Sequence, residues 1–217
     1  MEKIWIKAVL QPFYSIKERK EELVQCVFAT LFVAIGVSIY VDCQLGSDSV
    51  TVFLDGVYRT TQIPISIIDQ ILTIILFIIA YFLNKKHIGI CTIIHTLLIG
   101  VCIKIANIFI SPLELYNYSF FIRCVFVIIA QLCFAFGFAF MQNFQSGMST
   151  ADAFIYGITE KTKLSYVQVH FLFDSFYFIV GFMLGGIIGI GSIFYVLTSG
   201  LLTYQAKKII DKYEKRN

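Results

Sequence analysis

Six apolar runs, at 22–42, 63–83, 88–110, 119–142, 165–186 and 188–206, take up most of this chain. Each is close to the twenty or so residues that a helix needs to cross a bilayer. Between them they leave little freedom, because a run of that length has no place in a small water-soluble core. Composition agrees: 58% of the residues are hydrophobic and 14% are charged, whereas a soluble domain carries about a quarter charged residues. The chain reads as all-α, a polytopic membrane protein with six transmembrane helices. Pro64 opens the second run, where a missing N–H costs little, and Pro112 closes the third.

Lys and Arg set the expected orientation. With the N-terminus inside, fourteen of the seventeen fall on the cytoplasmic side, and only Arg59, Lys104 and Arg123 fall outside. The excess predicts that both termini are cytoplasmic. Residues 1–21 form an amphipathic, basic segment, in which Trp5, Val9 and Phe13 line one face and Lys3, Lys7, Lys17, Arg19 and Lys20 suit an anionic leaflet. An ordinary cytoplasmic tail accounts for the same residues. The end, 207–217, reads as a basic cytoplasmic tail. No cleavable leader is evident in the first twenty residues.

Two connections are too patterned for plain turns. In 47–60, Val50, Phe53, Leu54, Val57 and Tyr58 share a helical face, and in 148–162 Ala151, Phe154, Ile155 and Ile158 do the same. Each predicts a short amphipathic helix, interfacial or dipping inward. Ser47 or Ser49 would cap the first, and Ser149 or Thr150 the second.

These short helices are part of a duplication. Residue n matches n+101 at Gly36/Gly137, Gln44/Gln145, Gly46/Gly147, Phe53/Phe154 and Gly56/Gly157. After a one-residue gap it matches n+100 at Phe82/Phe182, Gly89/Gly189, Ile90/Ile190, Ile93/Ile193, Leu97/Leu197 and Gly100/Gly200. Each unit, 22–111 and 119–206, reads span, short helix, span, span. Three crossings is an odd number, so the second unit enters the membrane upside down. The expectation is two inverted three-helix repeats, an architecture of secondary transporters whose substrates bind at the repeat interface. Channels use the same symmetry.

The motifs GMSTAD at 147–152, LGGIIGIGS at 184–192 and GICTIIHTLLIG at 89–100 resemble the YczE/YyaS/YitT-type family of bacterial membrane proteins, over roughly residues 30–206. The resemblance implies this fold and a bacterial cell (inner) membrane, and brings no settled activity. It also matches an acidic residue of the fifth span to Asp174 and a basic one a turn earlier to His170. The chain departs from the pattern at Thr150 and Ser49, where Pro is common, at Thr51 in place of the acidic residue, and at Cys91 and Ser192 in the turns.

Ionisable groups inside the spans are the candidates for chemistry. Asp174 lies about ten residues into the fifth span, with His170 one turn before it. A carboxylate at that depth costs roughly 2.5–3.5 kcal/mol on insertion scales, so it must face a partner or a wet cavity. Such a pair can take up a proton or bind a cation, or lock two helices together. Tyr166, Tyr177 and Gly181 continue the same stripe. Asp69 and Gln70 in the second span, with Gln70 the repeat mate of His170, would approach from the opposite half; Asp69 at the outer headgroups is the simpler account. His95 is central in the third span. Asp152 lies in the first turn of its short helix, where a carboxylate complements the helix N-terminus; if that segment dips inward, Gly147, Ser149 and Asp152 line the cavity instead. Gln44 and Gln145 are symmetric and either cap a break or touch substrate.

The six cysteines form no CxxC pair and read as small packing residues. No metal, cofactor or nucleic-acid site is expected. There is no Walker A loop, G-x-S-x-G or HExxH, so an intramembrane enzyme is not expected. The sequence points to a secondary transporter of a small molecule or ion, proton- or cation-coupled, with the bilayer as its surroundings. A non-transporting module that regulates a partner complex, a substrate-binding subunit of a larger transporter, and a homo-oligomer or partner membrane protein all stay open.

Overall fold

The computed structural model describes residues 20–214, in which every regular element is helical. The amphipathic segment expected at 1–21 lies outside them save for its last two residues. The helices are α1 (Lys20–Cys43), α2 (Ser49–Thr61), α3 (Ile65–Asn84), α4 (Ile90–Ile110), α5 (Phe120–Met141), α6 (Thr150–Lys161), α7 (Tyr166–Met183) and α8 (Ile190–Glu214). Five segments are long and apolar enough to cross a membrane: α1, Ile65–His87, Ile90–Asn117, α5 and α7. α8 is long enough, at 25 residues, but is not among them. Ser192, Thr198, Ser199, Thr203 and Gln205 dilute its apolar character. Its last turns take in the expected basic tail: Ala206 and Ile210 are buried against Ala135 and Ala139 of α5.

α1 and α5 cross at the centre. Small residues let them approach: a Cβ on Gly36 would meet the Ala130 carbonyl at 2.9 Å, and one on Gly137 would meet the Ala29 carbonyl at 2.9 Å. α4 packs on α1 and α8 on α5; α2 packs on α7 and α6 on α3. Outward faces are apolar, with Phe82, Phe121 and Met183 each more than three-quarters exposed, a surface suited to lipid and not to water.

The two halves contact each other through equivalent residues. The Cys91 N–H donates to the Ser146 carbonyl (2.9 Å), and the Gly191 N–H donates to the Leu45 carbonyl (2.8 Å). Gly46 and Gly147 take φ of +107° and +102°, the left-handed region that only glycine enters freely. Their α-carbons lie against Gly189 and Gly89 in turn. Glu22 accepts from the Ser146 N–H and hydroxyl, while Arg123, its equivalent, donates to the Cys43 and Gln44 carbonyls. One position is served by an anion on one side and a cation on the other.

The halves differ at one seam. α7 and α8 pack closely against each other, the corresponding α3 and α4 only loosely. A cavity of about 160 Å³ lies there, lined by Thr73, Ile74, Phe77, Ile93 and Thr96.

Candidate functional site

The i, i+4 spacing puts His170 and Asp174 on one face of α7, and that face is turned inward, both residues being buried. Asp174 is 2% exposed. Its Oδ1 accepts from the Ser49 hydroxyl at 2.6 Å; its Oδ2 accepts from His170 Nδ1 at 3.0 Å and from the Ser199 hydroxyl. Ser49 belongs to α2, Ser199 to α8. The carboxylate is therefore held where the short helix of the first half meets two helices of the second. α8 lies close over His170: a Cβ on Gly200 would meet the His170 Cβ at 2.9 Å and its ring at 3.1 Å.

Two turns back along α7, Tyr166 reaches a second buried carboxylate. Asp152 Oδ1 accepts from the Tyr166 hydroxyl (2.9 Å) and from Gln142 Nε2 (3.0 Å). Its Oδ2 accepts from the Ser149 hydroxyl (2.8 Å). The Tyr156 hydroxyl donates to Gln142 Oε1 (3.1 Å), closing the network. Burial pushes the Asp152 carboxyl above its usual range, while the nearby His170 and these hydrogen bonds pull the other way. The Tyr166 and His170 rings lie 5.4 Å apart, so α7 carries three polar rungs, at 166, 170 and 174, along one face.

The caps of the short helices show the duplication at atomic scale. Asp48 caps α2 and accepts from the Thr51 N–H and hydroxyl. Ser149 caps α6 and its hydroxyl exchanges hydrogen bonds with Asp152. Acid and hydroxyl have traded places. The first cap is Asp48, not Ser47 or Ser49, which leaves Ser49 for Asp174.

The other candidates disperse. Gln70 is exposed and Asp69 half-buried on α3, where Asp69 lies within electrostatic reach of Asp48 at the start of α2 and has no hydrogen bond to the His170–Asp174 pair; α3 lies only loosely against α4. Gln44 and Gln145 are exposed in their turns, and Gln142 is the buried glutamine instead. His95 bonds Thr30 through Nδ1 at 3.1 Å and so ties α4 to α1. Tyr177 is buried among Phe53, Phe173 and Phe176, a packing role that leaves it beside an apolar cavity of about 270 Å³ between α6 and α7.

Ser199, Gln142 and Tyr156 escaped the sequence reading, in which Ser49 is only a candidate cap; a lone Ser or Gln in an apolar run carries no signal of its partner. Two further groups stand out. Gln131 is fully buried, accepts from the Tyr40 hydroxyl at 2.8 Å, and its Nε2 has no hydrogen-bond partner. At the edge of the fold, Glu160 bonds His87 Nε2 (2.9 Å) and Asn84. Partial burial raises its carboxyl, but these hydrogen bonds and the His87 and Lys86 charges outweigh it and hold the group below the usual range. Among the described residues no cluster of His, Cys, Asp and Glu could hold a metal ion.

Comparison with known proteins places the chain without assigning it work. Residues 20–208 match DUF6198, a family of unknown function. An uncharacterized protein of Haemophilus influenzae is 25% identical over 174 residues, covering 80% of this chain and 78% of that one. No solved structure matches.

Proposed function

We propose that this chain, which belongs to the DUF6198 family of unknown function, is a secondary transporter of a small molecule, driven by protons and working by alternating access between two inverted three-helix units. One observation carries the reading. Asp174 is buried with its hydrogen bonds satisfied from three helices drawn from both halves. A change in its protonation would loosen or tighten that seam, which is what coupling requires. A two-fold relation between the units is supported by the reciprocal contacts, since it makes residue i touch j and j touch i, as 91 with 146 and 191 with 45 do; three crossings in each unit would put that axis in the membrane plane. Six crossings, α8 included, put both termini and fourteen of seventeen basic residues on the cytoplasmic side. The motif resemblance to YczE/YyaS/YitT-type proteins supports a bacterial inner membrane. The open α3–α4 seam beside a closed α7–α8 seam fits one end state of such a cycle.

The test is uptake into proteoliposomes under an imposed pH gradient, screened against pooled metabolites. Uptake that depends on the gradient and falls at least tenfold in Asp174→Asn is expected. Gradient-dependent uptake unchanged in that variant would remove Asp174 from the mechanism. A second reading, a non-transporting module that binds a partner or an apolar ligand, is favoured by the apolar cavities on the outer faces. It predicts no uptake of any pool.

A further inference from the structure

Asp152 and Asp174 share one imidazole. Asp174 contacts His170 directly. Asp152 contacts only neutral donors: Gln142, Tyr166 and Ser149. The groups around it can be counted helix by helix. α7 brings Tyr166 and His170, and α6 itself brings Tyr156. α3 carries no charged side chain except Asp69, and the turn after it brings His87, whose ring lies 5.4 Å from that of Tyr156 and whose Nε2 bonds Glu160; the buried Tyr195 of α8 faces Asp152 as well. α8 brings Tyr204, Lys207 and Asp211, but the Lys207 ammonium is engaged by the Gln142 carbonyl at 3.3 Å and by Asn143, while Asp211 accepts from Asn143. The start of α6 favours an anion by only a fraction of a charge. Lys207 and Asp211 meet at Asn143, and His87 meets Glu160, so each of those charges has its counterpart; the two buried carboxylates are left with His170 as the group able to turn positive, and a dehydrated interior does not hold the unbalanced charge.

We infer that Asp152 is a second proton-binding site, a carboxylic acid at neutral pH that exchanges its proton with the His170–Asp174 pair further along α7. The acid form needs one change, a rotation of the Ser149 hydroxyl hydrogen off Oδ2. Its Oδ2–H donates to the Ser149 hydroxyl oxygen, while Oδ1 still accepts from Gln142 and Tyr166. Once Asp174 has itself taken up a proton, the O–H bond at Asp152 breaks and an N–H bond forms on neutral His170, leaving one carboxylate and one imidazolium in a trio that is neutral before and after. The use of this store in a transport cycle rests on the reading above; the protonation itself does not.

Infrared spectroscopy of the full chain in liposomes, from about pH 5 to pH 9, reads protonated carboxyl groups directly and needs no substrate. The expected result is a protonated-carboxyl band at neutral pH that is absent in Asp152→Asn. In His170→Gln it should persist to higher pH, because no imidazolium opposes the acid form. In Tyr166→Phe the band should move to higher frequency, because one hydrogen bond to its C=O is gone. A missing band in the unaltered protein, or a band unchanged in Asp152→Asn, overturns the inference. So does a band that vanishes at constant pH when sodium replaces choline, which would make Asp152 a cation ligand. Should Asp152→Asn fail to fold, an unshifted band in Tyr166→Phe overturns it as well. A band with no detectable uptake sinks only the transport reading; Asp174-dependent uptake with no band sinks only this one.

Discussion

Asp174 shows how much a buried carboxylate depends on its donors. Truncation to Ala leaves Ser49, His170 and Ser199 facing an empty site. Breaking a buried charged pair costs about 3–5 kcal/mol, enough to depress the melting temperature by several degrees. Ser49→Ala removes one bond to a charged acceptor, worth about 1.5–3 kcal/mol, and does so across the two halves. Thermal melts in detergent should rank Asp174→Ala below Ser49→Ala below the unaltered protein; equal melting temperatures would mean that the site does not hold the seam. Glu160 gives a pH test. Its carboxyl is held below the ordinary value, so its contribution is fully present above the unfolded-state value and is lost as pH falls through the lower folded one. Glu160→Gln should therefore flatten the loss of stability on acidification below about pH 4.3, as read by melts at stepped pH. The His170–Asp174 pair was legible in the sequence because four residues is one helical turn. Ser49 and Ser199 were not, since each comes from a distant element and a serine in an apolar run looks like any other small residue.

At the level of elements, the short helices and their turns carry the duplication. Gly46→Ala and Gly147→Ala each force a side chain into positive φ and against the backbone of the opposite half. Non-glycine residues in such conformations cost about 1–3 kcal/mol, and the steric contact adds to it. If the halves are equivalent, the two substitutions should lower the melting temperature by similar amounts. A large effect at one position and none at the other would deny the equivalence. Element existence was readable from apolar length, and both short helices from their faces. What misled was the direction of α3. The repeat pairs Gln70 with His170, yet His170 is buried and Gln70 is exposed, because packing against α8 turns one inward while α3 lies only loosely against α4. Sequence repeats record ancestry and local form, whereas seam closure is decided by tertiary contacts. α8 shows the reverse case: its hydroxyls make it a weak apolar run, and one of them, Ser199, serves the buried carboxylate.

On the scale of the whole molecule, everything depends on the second half entering the membrane in the opposite sense to the first, so that unlike faces of equal units meet around Asp174. Gln62 and Lys163 are equivalent positions in the repeat, and both are exposed just before the second span of their unit. The direct measurement replaces the six native cysteines, introduces Gln62→Cys or Lys163→Cys singly, and labels intact cells with a membrane-impermeant thiol reagent. Labelling of position 62 in intact cells, and of position 163 only after permeabilisation, is the predicted result. Labelling of both positions from the same side would contradict the account.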